Sequence, residues 1–212
     1  MNSDRKIAKM ICEVGRRLYK SGMVASNDGN ISCRISKGRF MVTPTCVSKG
    51  FMRPKDLCIL DKDGNYLKGG KPTSEAKMHV MILKARPDIN SCVHAHPRCA
   101  TAFTVTSTPF DPTVLPEAML GLSAVRTAPY AAPSTLELAK NAADAALTTD
   151  VVLLSRHGAI TLGCDPIDAL YKLESLEHCA HTLIYAKLLG KSTELDPNEQ
   201  EQLLTISKEV YH

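Results

Sequence analysis

Two histidines one residue apart, His94 and His96 in Ser91-Cys-Val-His-Ala-His-Pro, and a third, His157 in Ser155-Arg-His-Gly, are the residues best suited to chemistry in this chain. In an extended strand, side chains alternate between faces, so residues 94 and 96 point the same way with Cα atoms about 6.6 to 7 Å apart. Two imidazoles at that spacing can close around one divalent ion at roughly 2 Å each, and zinc suits such a site best. An isolated His-x-His is as well explained by local hydrogen bonds. His157, following an apolar strand, turns the pair into a candidate set of three ligands.

Glu75 is a fourth candidate. It follows Thr73-Ser74 at the start of a predicted helix, where the helix dipole favours a carboxylate, although an ordinary first-turn glutamate would look the same. Thr73 and Ser74 add hydroxyls, and the free N–H groups of the first turn suit a phosphate. The turn Asn27-Asp-Gly29-Asn30 offers further donors and a glycine that lets the backbone approach closely. Thr43-Pro-Thr45 presents another hydroxyl at a strand end. Each of these alone is ordinary turn chemistry; together they outline an anion pocket beside a metal site.

Other polar clusters have plainer readings. His178 and His181 form His-x-x-His, with Glu174 and Glu177 four residues upstream of each, and i,i+4 Glu to His pairing accounts for them without an ion. Cys92 shares the strand face of His94 and His96 and reads as a small apolar filler. His79, one turn beyond Glu75, reads as core or as a support behind the ligands.

The elements that must position these residues follow from periodicity. Ile7, Met10, Ile11, Val14 and Leu18 predict an amphipathic helix over 4–20. Ile31, Cys33 and Ile35 alternate with Ser32 and Arg34 in a strand whose hairpin partner is 40–43, and Asp63-Gly marks a second hairpin between 57–61 and 66–67. A helix over 75–86 ends at Pro87, a strand spans 91–96, and a short helix runs from Pro97 to Val105. The stretch 107–133, with five prolines, reads as irregular. Ser134-Thr-Leu-Glu137 reads as a capping box opening a helix to Leu147. Strands 151–154 and 159–162 flank Arg156-His157-Gly158, Asp165-Pro166 caps a long helix to Leu189, and Asp196-Pro-Asn-Glu199 caps a last one. Without a regular βαβ repeat, the fold expected is α/β with a mixed, largely antiparallel sheet and helices on its faces.

The 212 residues, 44% hydrophobic and 23% charged, suffice for one domain over 1–212 with a core that needs no staples. The net charge of +4 arises from scattered lysines and arginines, and no tryptophan is present to stack on bases; nucleic acid is not an expected partner, whereas a small anion is compatible. Eight cysteines without a C-x-x-C pair read as buried free thiols in a reducing cytoplasm. An amphipathic start and the lack of a long apolar run predict neither a secretory signal nor a membrane span.

Gly29-Asn-Ile-Ser, Thr43-Pro-Thr, Thr73-Ser-Glu75, His94-Ala-His96, Ala128-Pro-Tyr130 and His157-Gly158 occur in the order and approximate spacing of the class II aldolase/adducin family. On these motifs the chain resembles that family over nearly its whole length. The resemblance implies α/β/α layers, and zinc held by His94, His96, His157 and, at rest, Glu75. It implies Glu75 as the catalytic acid/base, and a substrate phosphate bound by Gly29, Asn30, Thr45, the Cys46 backbone, Thr73 and Ser74. Length and layout are most similar to members that cleave L-fuculose 1-phosphate reversibly to dihydroxyacetone phosphate and L-lactaldehyde, which implies that reaction on this or a close ketose 1-phosphate. The same likeness implies a C4 homotetramer with sites between subunits and a catalytic Tyr211 reaching a neighbour's site.

Departures from the family pattern fall on the substrate side. The usual Thr-Pro-Thr/Ser-Gly is Thr43-Pro-Thr-Cys46 here, so a phosphate-contacting glycine has gained a side chain, and an aldehyde-side tyrosine falls at Leu115 by count. The family's ribulose-phosphate 4-epimerases typically carry aspartate where Glu75 stands; glutamate favours the aldolase and leaves a ketose-phosphate dehydratase open. An adducin-like scaffold without chemistry should have lost metal histidines, and all three are present.

Overall fold

Ile11, Val14 and Leu18 recur at helical spacing, and the helix they predict is present as α1 (Ser3–Lys20), which buries all three together with Ala8, Cys12 and Gly15. Asp4 in its first turn and Arg17 and Lys20 in its last oppose the helix dipole favourably. The computed structural model describes residues 3–122, 124–190, 193 and 195–210.

Both predicted hairpins form. β1 (Asn30–Arg34) pairs antiparallel with β2 (Phe40–Val42), with Cys33 opposite Met41. β3 (Cys58–Leu60) pairs with β4 (Tyr66–Lys68) across a turn in which Asp61 Oδ1 accepts from the backbone N–H groups of Asp63 and Asn65, both at 2.8 Å. β5 (Ser91–Ala95) lies between β1 and β8 (Gly158–Gly163), and β7 (Val151–Leu154) lies between β8 and β6 (Val125–Ala128). The eight strands form one sheet of order β4-β3-β2-β1-β5-β8-β7-β6, and β6 with β7 is its parallel pair. The mixed, largely antiparallel sheet expected from the pattern is thus the one observed.

Helices cover both faces. On one side α1 packs with α3 (Arg98–Thr104), α4 (Pro116–Leu122) and α6 (Pro166–Leu189) over a core containing Ile31, Cys33, Val93, Leu153 and Leu173. On the other, α2 (Ala76–Ala85) and α5 (Leu136–Ala145) cover Val42, Cys92, Val152, Leu154 and Ile160. Leu153 and Leu154 therefore go to different cores, and each such full burial stabilises by about 1.5–3 kcal/mol. Because both faces are covered, the polar face of β1 is not solvated: Ser32 is fully buried beneath α2.

Three expectations are corrected. The stretch 107–133 is not irregular throughout, since it holds α4 and β6. β6 is a half-exposed edge strand whose order comes from pairing with β7, a partner that its local pattern does not announce. The cap of α5 is Thr135, whose Oγ1 accepts from Leu138 N–H at 3.1 Å; Ser134 sits outside the helix at φ 66°, so no capping box with Glu137 forms. The thiols are free as expected but not all buried, for Cys46 and Cys164 are exposed. Asp165 and Asp196 do cap α6 and α7 (Pro197–Val210), and Glu199 accepts from the Asp196 N–H at 2.8 Å. No helix among the described residues is long and apolar enough to cross a membrane.

Candidate active site

The centre of the sheet brings the three histidines together. His94 lies in β5, opposite Asn30 of β1 and Ile160 of β8, and is completely buried. His96 follows the strand and donates its backbone N–H to the Met23 carbonyl at 3.0 Å. The turn between β7 and β8 supplies His157, whose N–H donates to Leu154 O at 3.0 Å while Arg156 adopts a left-handed φ of 57°. Next to it, a Cβ on Gly158 would stand 2.7 Å from His96 Cδ2, so glycine is what lets the two imidazoles meet. The three ring centroids are 4.7–5.0 Å apart, and one nitrogen from each ring lies within 4.8 Å of the others.

A backbone hydrogen bond fixes the orientation of the His94 ring. His94 Nδ1 is 2.8 Å from the Ala159 carbonyl, which can only accept, so Nδ1 carries the proton and Nε2 presents a lone pair. His96 turns Nδ1 toward the Asp28 carboxylate at 3.6 Å and Nε2 toward His94 Nε2 at 3.2 Å. A proton donated by His96 Nε2 to the His94 lone pair, or a cation between two lone pairs, satisfies that approach. Nitrogens each roughly 2.0–2.1 Å from one tetrahedral zinc stand about 3.3–3.4 Å apart, close to the spacing found. Burial, with the neighbouring imidazoles, holds His94 well below its ordinary pKa; burial also lowers His157, against the opposing pull of Glu75. Neutral imidazole is the form that ligates metal.

Glu75 caps the start of α2 in position only, since its side chain makes no cap bond and turns into the cluster. Oε2 lies 3.3 Å from His94 Nε2 and Oε1 lies 3.7 Å from His157 Nε2. Asn30 Nδ2 donates to Oε2 at 2.9 Å, whereas Oε1 is buried without a hydrogen-bond partner. A buried carboxylate oxygen left bare beside three imidazoles is what a metal ligand looks like before the ion is counted. The donor set therefore fits a divalent cation held by His94, His96, His157 and Glu75.

Behind Glu75 runs a buried polar chain. Because Asn30 donates through Nδ2, its Oδ1 is an acceptor and meets His79 Nε2; His79 Nδ1 then accepts from Ser32 Oγ at 2.7 Å. Burial, aided by the neighbouring His94, pushes the His79 pKa down to about 3, so it stays neutral with one tautomer selected at both ends. His79 is thus a support of Glu75, reached through Asn30.

The segments expected to bind phosphate are laced together beside this carboxylate. Thr45 N–H donates to Lys71 O at 2.9 Å, Thr73 N–H donates to Thr43 O at 3.1 Å, and Glu75 N–H donates to Thr73 Oγ1 at 3.4 Å. Gly29 has a φ of 73°, and a Cβ there would stand 2.9 Å from the His94 carbonyl. Ser74 and Cys46 are exposed, Thr45 half-buried and Thr73 buried. Both ends of the Asn30 amide are engaged, Nδ2 by Glu75 and Oδ1 by His79, and Nδ2 keeps a second N–H for a further acceptor. Tyr211 lies outside the described residues.

The other sequence clusters are not sites. Glu177 accepts from the N–H groups of Cys99 and Ala100, both at 2.9 Å, and so caps α3; Glu174 pairs with Arg17 at 2.6 Å. The i,i+4 pairing to His178 and His181 is therefore not what these glutamates do, although no ion is required. His181 instead meets the Tyr185 ring at 4.6 Å between centroids. Complete burial pushes the Cys92 thiol far above its ordinary pKa, in keeping with an inert filler.

A trio of converging imidazoles with a buried carboxylate beside it, set at the middle of a mixed sheet, defines the class. Residues 9–184 match the family model described as Class II Aldolase and Adducin N-terminal domain, and the chain belongs to that family. It is 37% identical over 168 residues to the L-fuculose phosphate aldolase of Methanococcus maripaludis strain S2, covering 79% of this chain and 91% of that one. To the 3-oxo-tetronate 4-phosphate decarboxylase of Haemophilus influenzae it is 32% identical over 177 residues, covering 81% and 84%. Among solved structures, an L-fuculose 1-phosphate aldolase superposes with a TM-score of 0.87 at 29% identity, covering 98% of both chains.

Proposed function

We propose that this chain is a zinc-dependent aldolase that cleaves L-fuculose 1-phosphate, or a close ketose 1-phosphate, reversibly to dihydroxyacetone phosphate and L-lactaldehyde. The observation that carries the reading is Glu75, with one oxygen held by Asn30 and the other bare beside His157. His94, His96, His157 and Glu75 would hold the zinc. Bound there, the ion supplies a Lewis acid that polarises the ketose carbonyl and stabilises the charge left when the C3–C4 bond breaks.

The remaining work falls to the chain's own groups. Glu75, freed from metal ligation when substrate enters, delivers a proton to C3 in cleavage and removes it in condensation. Gly29, Asn30, Thr45, the Cys46 backbone, Thr73 and Ser74 hold the phosphate, which fixes C3 and C4 beside the carboxylate; Asn30 also anchors Glu75. Tyr211 handles the aldehyde oxygen from a neighbouring subunit of a homotetramer. Eight free thiols accord with a cytoplasmic home.

The test is a cleavage assay on zinc-loaded protein over fuculose, rhamnulose and ribulose phosphates, coupled to detection of dihydroxyacetone phosphate. Cleavage of the 1-phosphates is the expected result. Inversion at C4 of a 5-phosphate alone, or release of carbon dioxide from 3-oxo-tetronate 4-phosphate alone, would replace the aldolase reading with another reaction of the same centre.

A further inference from the structure

Beside the anion-binding segments stands a cation that takes no part in the metal cluster. Lys49 opens the turn Lys49–Phe51 and is only 2% exposed. Its backbone is fixed by α1: a Cβ on Gly15 would stand 2.5 Å from the Lys49 carbonyl oxygen, and Gly50 lies against the Tyr19 ring. Its ammonium donates to the carbonyls of Asn27 at 2.6 Å and Val47 at 2.8 Å. Among the described residues no carboxylate lies within ion-pair distance of it, and the more distant Asp28 only partly offsets the cost of burying the charge.

The two carbonyls belong to different loops. Asn27 leads into Gly29 and Asn30; Val47 follows Thr45 and Cys46. The second loop is already joined to 71–75 by the Pro44–Pro72 bridge and the Thr45 and Thr73 backbone bonds. The inner ends of these segments already meet, Thr43 N–H donating to the Ile31 carbonyl at 3.0 Å and Asn30 Nδ2 to Glu75 at 2.9 Å, and Lys49 ties their outer parts, Asn27 to Val47, into the same frame.

We propose that Lys49 is the fixed cation of the phosphate pocket: it sets the spacing of the 27–30 and 43–47 loops and gains its missing countercharge from a phosphate monoester dianion. The identity of that monoester rests on the aldolase reading; the anion pocket does not. The titratable groups facing the ammonium are Asp28 from the turn before β1 and Cys46 from the loop after β2, while α1 contributes Gly15 and, nearby, Tyr19. Burial lowers the Lys49 pKa from 10.5 to about 8 against the pull of Asp28 and Cys46. A dianion seated in the pocket raises it again, so binding takes up a proton in the window between those two values.

The experiment is calorimetric titration of inorganic phosphate into the full-length protein, zinc-loaded and chelated, near pH 9 in two buffers of different ionisation enthalpy. The wild type is expected to take up most of one proton on binding, with or without zinc. Lys49→Met is expected to bind phosphate at least tenfold more weakly and without proton uptake, at unchanged zinc content. On a cleaved ketose phosphate it raises KM more than it lowers kcat. Phosphate binding by the wild type without proton uptake overturns the proposal whether or not the variant folds; so does a Lys49→Met protein with wild-type phosphate affinity. A protein that binds phosphate in this way yet cleaves no ketose phosphate would sink the aldolase reading and leave this one intact.

Discussion

Asn30 Nδ2 donates to Glu75 Oε2 at 2.9 Å, and that one bond makes the two carboxylate oxygens unequal. Oε2 is stabilised as an acceptor, while Oε1 stays buried and unbonded on the His157 side. A carboxylate with one anchored and one free oxygen can leave a metal and return to it by turning about a fixed point. The proposed alternation of Glu75 between ligand and proton carrier needs no backbone movement with this geometry.

Glu75→Gln separates those two roles. The glutamine carbonyl can still accept from Asn30, so the chain through His79 survives and three histidines remain for the metal. General acid–base catalysis contributes about 10²–10⁴-fold, and kcat is expected to fall by at least the lower figure. Zinc content, measured by atomic absorption, is expected to stay near one per chain; turnover within a factor of a few of wild type would remove Glu75 from the chemistry.

His79 acts only through Asn30, and its substitutions should show it. His79→Gln keeps a donor toward Asn30 Oδ1 and an acceptor for Ser32 Oγ, whereas His79→Leu keeps neither. The leucine variant is expected to lower kcat by about tenfold or more with little change in KM, since losing an outer-shell partner typically costs 10–100-fold, and the glutamine variant to recover most of it. Equal rates for the two variants would dissociate His79 from Glu75.

The same residue sets an acid limit on stability. With its folded pKa depressed from 6.5 to about 3, the unfolded chain binds more protons between those values, so the stability it contributes is intact above 6.5 and declines as pH falls toward 3. Depressed values at His94 and His157 act in the same direction. Urea unfolding of chelated protein should show this decline, and His79→Gln should flatten it; identical slopes would contradict the assignment.

The sequence was most informative where a local rule applied. His94 and His96 share a face because strands alternate, and Asp165 and Asp196 announce their helices because caps are local. What stayed hidden depends on distant partners. β6 is a strand because β7 lies beside it, and Ser32 is buried because α2 crosses above it. That Asn30 also anchors Glu75, with His79, 49 positions away, on the other end of its amide, is a contact no local pattern announces. Lys49 carried no signal at all, for a lysine between serine and glycine is ordinary on a surface and becomes unusual only when two loops and α1 enclose it.

Cys46 stands where the family carries glycine, and its φ of 56° is left-handed. A side chain in that conformation costs roughly 1–2 kcal/mol, while glycine there adds about 0.5–1 kcal/mol of chain freedom to lose on folding. Cys46→Gly is therefore expected to stabilise by about 0.5 kcal/mol in urea unfolding and to leave zinc content unchanged. A measurable loss of stability would mean that the thiol makes a compensating contact.

Gly158→Ala tests whether the trio must be close. The new methyl would press on His96 Cδ2 and on the Ala95 carbonyl. Ala95 is held by the β5–β8 ladder, where it faces Ala159, so the contact with its carbonyl must be relieved by the 157–158 turn and the 2.7 Å contact by the ring of His96, 29% exposed at its side chain. Both shifts carry imidazole nitrogens, of His157 and His96, away from the point where the three rings converge, while His94 stays in its strand. Zinc affinity, measured by competition with a chromophoric chelator, is expected to fall about 10–100-fold, the range typical of disturbed ligand supports, and cobalt-substituted protein should show an altered visible spectrum. Unchanged affinity together with an unchanged spectrum would mean that His96 does not ligate the metal.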